Sequence, residues 1–157
     1  MKKLLIIFFI LITSNGFSQQ KKIRYDADLQ FVDEEKYPGA TVLIGNVKMI
    51  HAGAILTSQK AFYYKKENFF KAIGNVIINQ GDTVKQFSNY VDYDANFKKS
   101  VSWGSVILED PTMTLTTDTL YFNRASQLLF YKDHAIIKDE TNVLESKNGN
   151  YYLEQKK

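Results

Sequence analysis

The chain has 157 residues, of which 45% are hydrophobic, and it contains 20 basic residues, 17 acidic residues and no cysteine. Without cysteine it cannot form disulfides, so its stability must come from an apolar core and backbone pairing. Two of the basic residues, Lys2 and Lys3, belong to a segment that we expect to be removed, which leaves 18 basic residues against 17 acidic ones. A net charge near +1 lacks the electrostatic footprint of a nucleic-acid-binding protein, and we expect no nucleic acid as partner.

The N-terminal segment has the pattern of a secretory signal peptide. Two lysines precede an apolar run over residues 4–12, and small residues follow two apart at Gly16 and Ser18. The apolar run is too short to cross a bilayer as a helix. We therefore predict a cleaved signal peptide over residues 1–18 and one exported domain over residues 19–157.

A unit of 29 or 30 residues then recurs about four times. Each copy has two landmarks. The first is a triplet, led by glycine in three of the copies. The second is a hydroxyl residue followed by a polar residue, and the hydroxyl residue lies 16 positions before the next triplet. The triplets are Gly45-Asn46-Val47, Gly74-Asn75-Val76, Gly104-Ser105-Val106 and Asp133-His134-Ala135, and the hydroxyl pairs are Ser58-Gln59, Ser88-Asn89, Thr117-Asp118 and Ser146-Lys147. A fixed period indicates one supersecondary unit that packs against its own copies, so we expect function on a surface shared by all of them.

Within each copy, apolar and polar residues alternate, which is typical of strands with one buried face. Turn residues separate the strands, and two strands of about ten residues fill one period without room for a helix. We predict an all-β stack of repeated antiparallel strands, rolled or folded over to hide one face, with open edges. The residues predicted to face the interior are Val47, Met49, Ala61, Tyr63, Val76, Ile78, Val91, Tyr93, Val106, Leu108, Leu120 and Phe122. The face of Ile77, Ile107 and Ile136 stays open because their neighbours are apolar too.

The copy between Gly74 and Ser88 is one residue longer than the others. Its apolar residue is Phe87, whereas the corresponding leucines Leu56 and Leu115 stand one place earlier in their copies. An extra residue turns every following side chain to the other face unless a bulge or turn absorbs it. We predict a bulge or a longer turn between residues 81 and 88.

No constellation of residues favours catalysis or metal binding. The two histidines, His51 and His134, have no partner at metal-ligand spacing. Pairs of aspartates two apart occur at residues 26–28 and 92–94, outside any calcium-loop pattern, and we expect them to face solvent. Nucleophile elbows and phosphate-binding glycine loops are absent from the sequence. We expect neither an enzyme nor a bound cofactor or metal.

The aromatic residues leave more than one interpretation open. They can fill a packed core, or they can line a continuous apolar trough of the kind that suits acyl chains. A carbohydrate-binding protein is a third hypothesis, and it requires Tyr64 and Trp103 to be exposed on an outer face.

Three segments resemble a known family. Residues 42–47 (VLIGNV), 54–64 (AILTSQKAFYY) and 72–78 (AIGNVII) resemble the OstA-like/LptA-type domain. Its hallmark is a glycine-led strand (G-x-V) followed by a strand reading L-x-[ST]-[DN]-x-A-x-Y, which residues 115–121 (LTTDTLY) fit best. The resemblance extends over about residues 24–153.

This resemblance implies a periplasmic β-jellyroll that carries lipopolysaccharide across the envelope, with acyl chains in its apolar interior. The twelve interior positions named above would then line the lipid. The implied partners are lipid A acyl chains and other β-jellyroll transport proteins that dock by edge-strand addition, a head-to-tail homo-oligomer being one such arrangement. The alternative is a non-catalytic structural or interaction module of the cell envelope with a fully packed core.

Overall fold

The computed structural model of the chain describes residues 22–81 and 83–153. The predicted signal peptide lies outside these residues. The strands are Arg24–Asp26 (β1), Leu29–Val32 (β2), Ala40–His51 (β3), Ala54–Tyr64 (β4), Phe69–Gln80 (β5), Val84–Asp94 (β6), Lys99–Glu109 (β7), Thr114–Asn123 (β8), Leu128–Tyr131 (β9), Ala135–Lys138 (β10), Val143–Ser146 (β11) and Gly149–Tyr152 (β12). Nothing in this part of the chain forms a helix that is long and apolar enough to span a membrane. The predicted all-β architecture of antiparallel strands is confirmed.

All twelve strands belong to one antiparallel sheet. The long strands β3 to β8 pair with their neighbours in sequence, so the sheet grows by one hairpin after another. At each end of the stack two short strands take the place of one long strand. At the first end, β1 and β2 both pair with β3. At the other end, β9 and β10 both pair with β8; β11 then pairs with β10, and β12 pairs with β9.

A line of bulges divides each long strand in the middle. In β3, Gly45 and Asn46 adopt left-handed backbone angles, with φ of 76° and 44°, and together they face the single residue Gln59 of β4. The same arrangement recurs where the next two copies of the landmarks meet. Bulges bend a strand, and glycine adopts positive φ without steric cost. The two landmarks of the repeat therefore lie opposite each other in neighbouring strands. The bulges form one line along which the sheet bends, and we call this line the crease.

The crease folds the sheet into two arms. The first arm contains residues 60–64 of β4, the parts of the other long strands in register with them, and β2, β9 and β12. The second arm contains residues 54–58 of β4, the parts of the other long strands in register with those, and β1, β10 and β11. Side chains of both arms share one apolar cluster, for example Leu43 and Ala61 of the first arm with Val47 of the second. The core therefore lies between the arms.

The turns at the free end of the first arm lie on one another. The amide of Arg124 donates to the carbonyl of Lys98 at 2.9 Å, and the amide of Leu153 donates to the carbonyl of Gln127 at 3.0 Å. Lys98 and Gln127 both adopt positive φ, 53° and 54°. These backbone hydrogen bonds hold successive turns in place relative to one another.

The prediction of a bulge or a longer turn between residues 81 and 88 is confirmed only relative to the first copy. Three residues join β5 to β6, whereas two join β3 to β4 and four join β7 to β8. The extra residue brings Gln86 to the inner face, and Phe87 lies half-buried on the outer face.

The expectation of long strands is wrong for the last copy. Residues 132–134 leave the sheet between β9 and β10, and β11 and β12 are likewise separate short strands. Asp133 stands where the other copies have glycine. Without a residue that adopts positive φ freely, the crease is made by a break in the strand.

Substitution of Gly104 by alanine should destabilise the protein more than substitution of Gly39. Both glycines have positive φ, 79° and 75°, so each alanine carries a strain of roughly 1–2 kcal/mol, partly offset by a stiffer unfolded chain. At Gly104 a new Cβ would also lie 3.0 Å from the Cβ of Asn89, while at Gly39 it would meet nothing within 4 Å. Urea unfolding of protein lacking residues 1–18 measures both, and equal losses would contradict the account of the crease.

Candidate functional site

The inner faces of the two arms enclose an apolar interior that consists of two clusters, one formed mainly by β3 to β6 and the other by β7 to β10. Ten of the twelve residues predicted to face the interior are buried, and the other two, Ile78 and Phe122, are half-buried and pack against the same clusters. Ile77, Ile107 and Ile136, whose direction the sequence left open, are half-buried, and each adjoins an interior residue in sequence. Since successive residues of a strand point to opposite faces, all three lie on the outer face.

Strand pairing aligns the interior residues in rows across the stack. One row of the second arm consists of Met49, Leu56, Ile78, Gln86, Leu108, Leu115 and Ile137. A row of the first arm consists of Leu43, Ala61, Ala72, Val91, Ser102 and Leu120. The interior also contains Leu43, Leu56, Ala72 and Leu115, which the sequence prediction omitted. Leu43 and Ala72 lie four residues before Val47 and Val76, and Leu56 and Leu115 lie five residues before Ala61 and Leu120. The bulges lie between these positions, so simple alternation does not carry across them.

A small cavity of about 50 Å³ lies between the free ends of the arms. Its walls include the apolar side chains Leu56, Leu108, Phe122 and Leu129. The volume is room for a few water molecules and is well below the roughly 300–1,000 Å³ of a pocket for a drug-sized ligand. A larger guest would require the arms to separate.

Polar side chains join the arms beside this cavity, and we call them the polar rim. The rim consists of His51, Gln80, Tyr93, Arg124 and Gln127. The amide of Gln80, in the second arm, donates to the side-chain oxygen of Gln127, in the first arm, at 3.0 Å.

Arg124 is the central residue of the polar rim. Its Nη1 donates to the carbonyl of His51 at 3.0 Å, and its Nη2 donates to the carbonyl of Ala52 at 2.5 Å. The hydroxyl of Tyr93 shares a hydrogen bond of 2.6 Å with Nδ1 of His51. Because Arg124 and Tyr93 lie in the first arm and the other two residues in the second, these bonds close the free ends on each other.

Burial raises the pKa of the Tyr93 phenol above its ordinary value of 10.0, while the charge and hydrogen bond of Arg124 act in the opposite direction. The phenol is therefore neutral at neutral pH and keeps its proton for hydrogen bonding. The rim joins the arms through a neutral phenol and a guanidinium.

The residues considered for metal binding have structural contacts instead. Asp28 accepts a hydrogen bond of 2.9 Å from Asn46 at the crease, and Asp92 lies 3.9 Å from Lys71. His134 is exposed. Across residues 22–81 and 83–153, no three His, Cys, Asp or Glu side chains are grouped so that they could hold a metal ion. Trp103 and Tyr64 are both half-buried, and Trp103 is stacked on Tyr90.

The crease, the two arms and the repeat agree with a known family. The OstA-like protein family matches residues 20–157, nearly the whole chain. The chain belongs to this family. No curated protein sequence matches this OstA-like chain.

The fold of this OstA-like chain is similar to that of solved structures. One is the crystal structure of LptH from Pseudomonas aeruginosa, described as the LptA-homologous periplasmic component of the conserved lipopolysaccharide transport device. The two agree with a TM-score of 0.58 at 17% identity, over 66% of this chain and 77% of that chain. The similarity shows a shared LptA-like jellyroll fold.

One buried polar pair interrupts the apolar interior of this OstA-like chain. The amide of Gln86 donates to the hydroxyl of Ser102 at 2.5 Å, and the two residues are only 6% and 1% exposed. Gln86 lies in the second arm and Ser102 in the first, so the bond crosses the core. The bond pairs two buried polar groups within a mostly apolar interior.

Ser102→Ala should lower the free energy of unfolding by about 1–3 kcal/mol, because it leaves the buried amide of Gln86 without a partner. The double variant Gln86→Leu/Ser102→Ala should recover much of that loss, since removal of both partners is nearly neutral. A double-mutant cycle by urea unfolding, with Gln86→Leu alone as the third variant, measures the coupling. Strict additivity of the two single effects would show that the pair does not act as a unit.

Proposed function

We propose that this OstA-like chain binds lipopolysaccharide in the periplasm and shelters its acyl chains between the two arms. The observation that carries the proposal is the mostly apolar inner rows of the two arms, which form one cluster on each side of the Gln86–Ser102 pair. Such surfaces offer acyl chains apolar contact within each cluster. The description of LptH as part of a lipopolysaccharide transport device supports the same function.

The proposed interior lining consists of the twelve predicted positions together with the leucines and alanines that complete their rows. Acyl chains would replace contacts that the two arms now make with each other. The ladder hydrogen bonds run between neighbouring strands, whereas the contacts between the arms are side-chain contacts. The polar-rim hydrogen bonds between neutral groups have a net value of about 0.5–1.5 kcal/mol each, and the two from the Arg124 guanidinium about 1.5–3 kcal/mol each. Separation of the arms therefore requires the lipid to replace the contacts of Arg124 as well as the apolar contacts.

Transport in this proposal is passive, and the direction is set by other components. The predicted signal peptide supports a periplasmic location, where the chain would bridge part of the envelope. Bound lipid would stabilise the native state by mass action, because lipid has no comparable site on the unfolded chain.

The strand edges provide docking surfaces for partners. Among the described residues, β2 pairs only with β3 and β11 only with β10. Leu29 and Val32 of β2 and Val143 and Leu144 of β11 are large apolar residues that are at least half exposed. Unpaired edges of this kind accept an added strand, so we propose that other β-jellyroll transport proteins, or a second copy, dock there.

A second candidate function is an interaction module with a permanently packed interior. The small volume of the cavity favours it, since close packing between the arms needs no lipid for stability. In that case the strand edges alone would carry the function.

A photoreactive phenylalanine analogue at Phe122 should form adducts with lipopolysaccharide in cells, whereas the same analogue at Tyr121 should not. The two residues are neighbours in β8, but Phe122 lines the cavity and Tyr121 packs on the outer face against Phe130. Immunoblotting of the adducts for lipopolysaccharide gives the result. Equal labelling from both positions, or labelling from neither in folded and exported protein, would favour the packed module.

Leu144→Lys should weaken the self-association of the protein, because lysine on an edge strand opposes strand addition. Phe97→Lys is the control, since Phe97 is 68% exposed in a turn away from the edges. Sedimentation velocity over a range of protein concentrations measures the effect. Self-association that is insensitive to Leu144→Lys, or equally sensitive to Phe97→Lys, would contradict docking at β11.

A further inference from the structure

Arg124 is a cation at the edge of an apolar interior. Its side chain is half-buried and lines the cavity together with Phe122 and Leu129. Its hydrogen bonds go to the carbonyls of His51 and Ala52, which are neutral groups. Among the described residues, the only ion pair within 4 Å is that between Lys71 and Asp92, so none of their carboxylates forms an ion pair with Arg124.

This arrangement is costly for a protein that binds nothing there. A partly buried charge is normally paired with an opposite charge, because hydrogen bonds to neutral groups compensate only part of its lost hydration. The guanidinium also carries more N–H donors than its two carbonyl contacts and the contact with Tyr93 use. Donors therefore remain for an anion.

The position of Arg124 is fixed by its own turn. Its amide donates to the carbonyl of Lys98 at 2.9 Å, and its carbonyl accepts from the side-chain amide of Gln127 at 2.7 Å. A cation held in place loses little conformational freedom when a ligand binds. Phe122, two residues earlier in the chain, contributes to the apolar wall next to it.

We infer that Arg124 binds the phosphate of an anionic lipid whose acyl chains lie between the arms. This inference rests on the proposed function and adds to it the class of lipid headgroup. The planar guanidinium matches a phosphate with two parallel hydrogen bonds, which a neutral headgroup cannot accept with the same strength. Since Arg124 also holds the carbonyls of His51 and Ala52, a bound phosphate would compete with the contacts that close the polar rim.

Arg124→Gln tests the inference, and Arg24→Gln is the matched control. The chain contains only these two arginines, and Arg24 is exposed in β1. The probes are phosphatidic acid and diacylglycerol with the same acyl chains, presented in the same neutral detergent, and the measurement is the affinity of each variant for each lipid. The wild-type protein and Arg24→Gln should prefer phosphatidic acid by about tenfold to a hundredfold, and Arg124→Gln should lose this preference.

Thermal unfolding separates loss of binding from loss of folding. If Arg124→Gln does not fold, Arg124→Lys decides, because lysine keeps the charge without the planar fork and should retain only part of the preference. The inference would be overturned if Arg124→Gln kept the wild-type preference for phosphatidic acid. If Arg124→Gln does not fold, an unchanged preference in Arg124→Lys would overturn it. Equal affinity of the wild-type protein for the two lipids would overturn it as well.

Three further outcomes distinguish the inference from the proposed function. If wild-type protein takes up neither lipid and also no lipopolysaccharide in the same detergent, the proposed function fails, and the inference fails with it. If it binds lipopolysaccharide but neither of the two lipids, only the inference fails. If inorganic phosphate alone binds at low concentration and its binding depends on Arg124, the site is one for a free anion, and the lipid headgroup is overturned as its ligand.

Discussion

The fold depends on left-handed backbone in the middle of each long strand. Glycine at positions 45, 74 and 104 adopts φ between 76° and 80°, and each is followed by a second residue with positive φ. Two such residues opposite one residue of the next strand bend the sheet at the same height in successive hairpins. The crease divides each long strand between two arms, and the interior lies between these arms. Along the crease, the backbone of the long strands joins the two arms.

On the side opposite the crease, the arms are not joined by continuous strands. There the arms are held by side chains, through Arg124 on two carbonyls, Tyr93 with His51, and Gln80 with Gln127. Continuous strands hinge the arms at the crease, and hydrogen bonds of modest net strength close their free ends. Separation of the arms on this side would break no strand pairing, which is what the proposed sheltering of acyl chains requires.

Sequence reasoning predicted the features that are local in the chain. The alternation of Val47 with Lys48 and of Ala61 with Phe62 shows which face is buried, because a strand has a period of two residues. The extra residue before Phe87 predicted the longer turn for the same reason. The regular period also indicated one repeated unit, but it suggested long strands in the last copy, where Asp133 replaces the glycine that a continuous strand needs.

The features that the sequence did not predict depend on contacts distant in the chain. Arg124 and His51 are 73 residues apart, and nothing around either residue indicates that they meet. Glutamine is rarely buried, and the burial of Gln86 depends on Ser102, which stands opposite in the other arm. The purpose of the two landmarks was likewise visible only once strand pairing brought Gly45 opposite Gln59.

The claim that the arms separate around lipid is tested most directly by a distance between them. The natural chain has no cysteine, so spin labels can be attached at Lys85→Cys in the second arm and Lys98→Cys in the first, both exposed positions. Electron–electron double resonance then measures the label separation without and with lipopolysaccharide. The account predicts a longer distance in the presence of lipopolysaccharide. An unchanged distance in protein that demonstrably binds the lipid would contradict it.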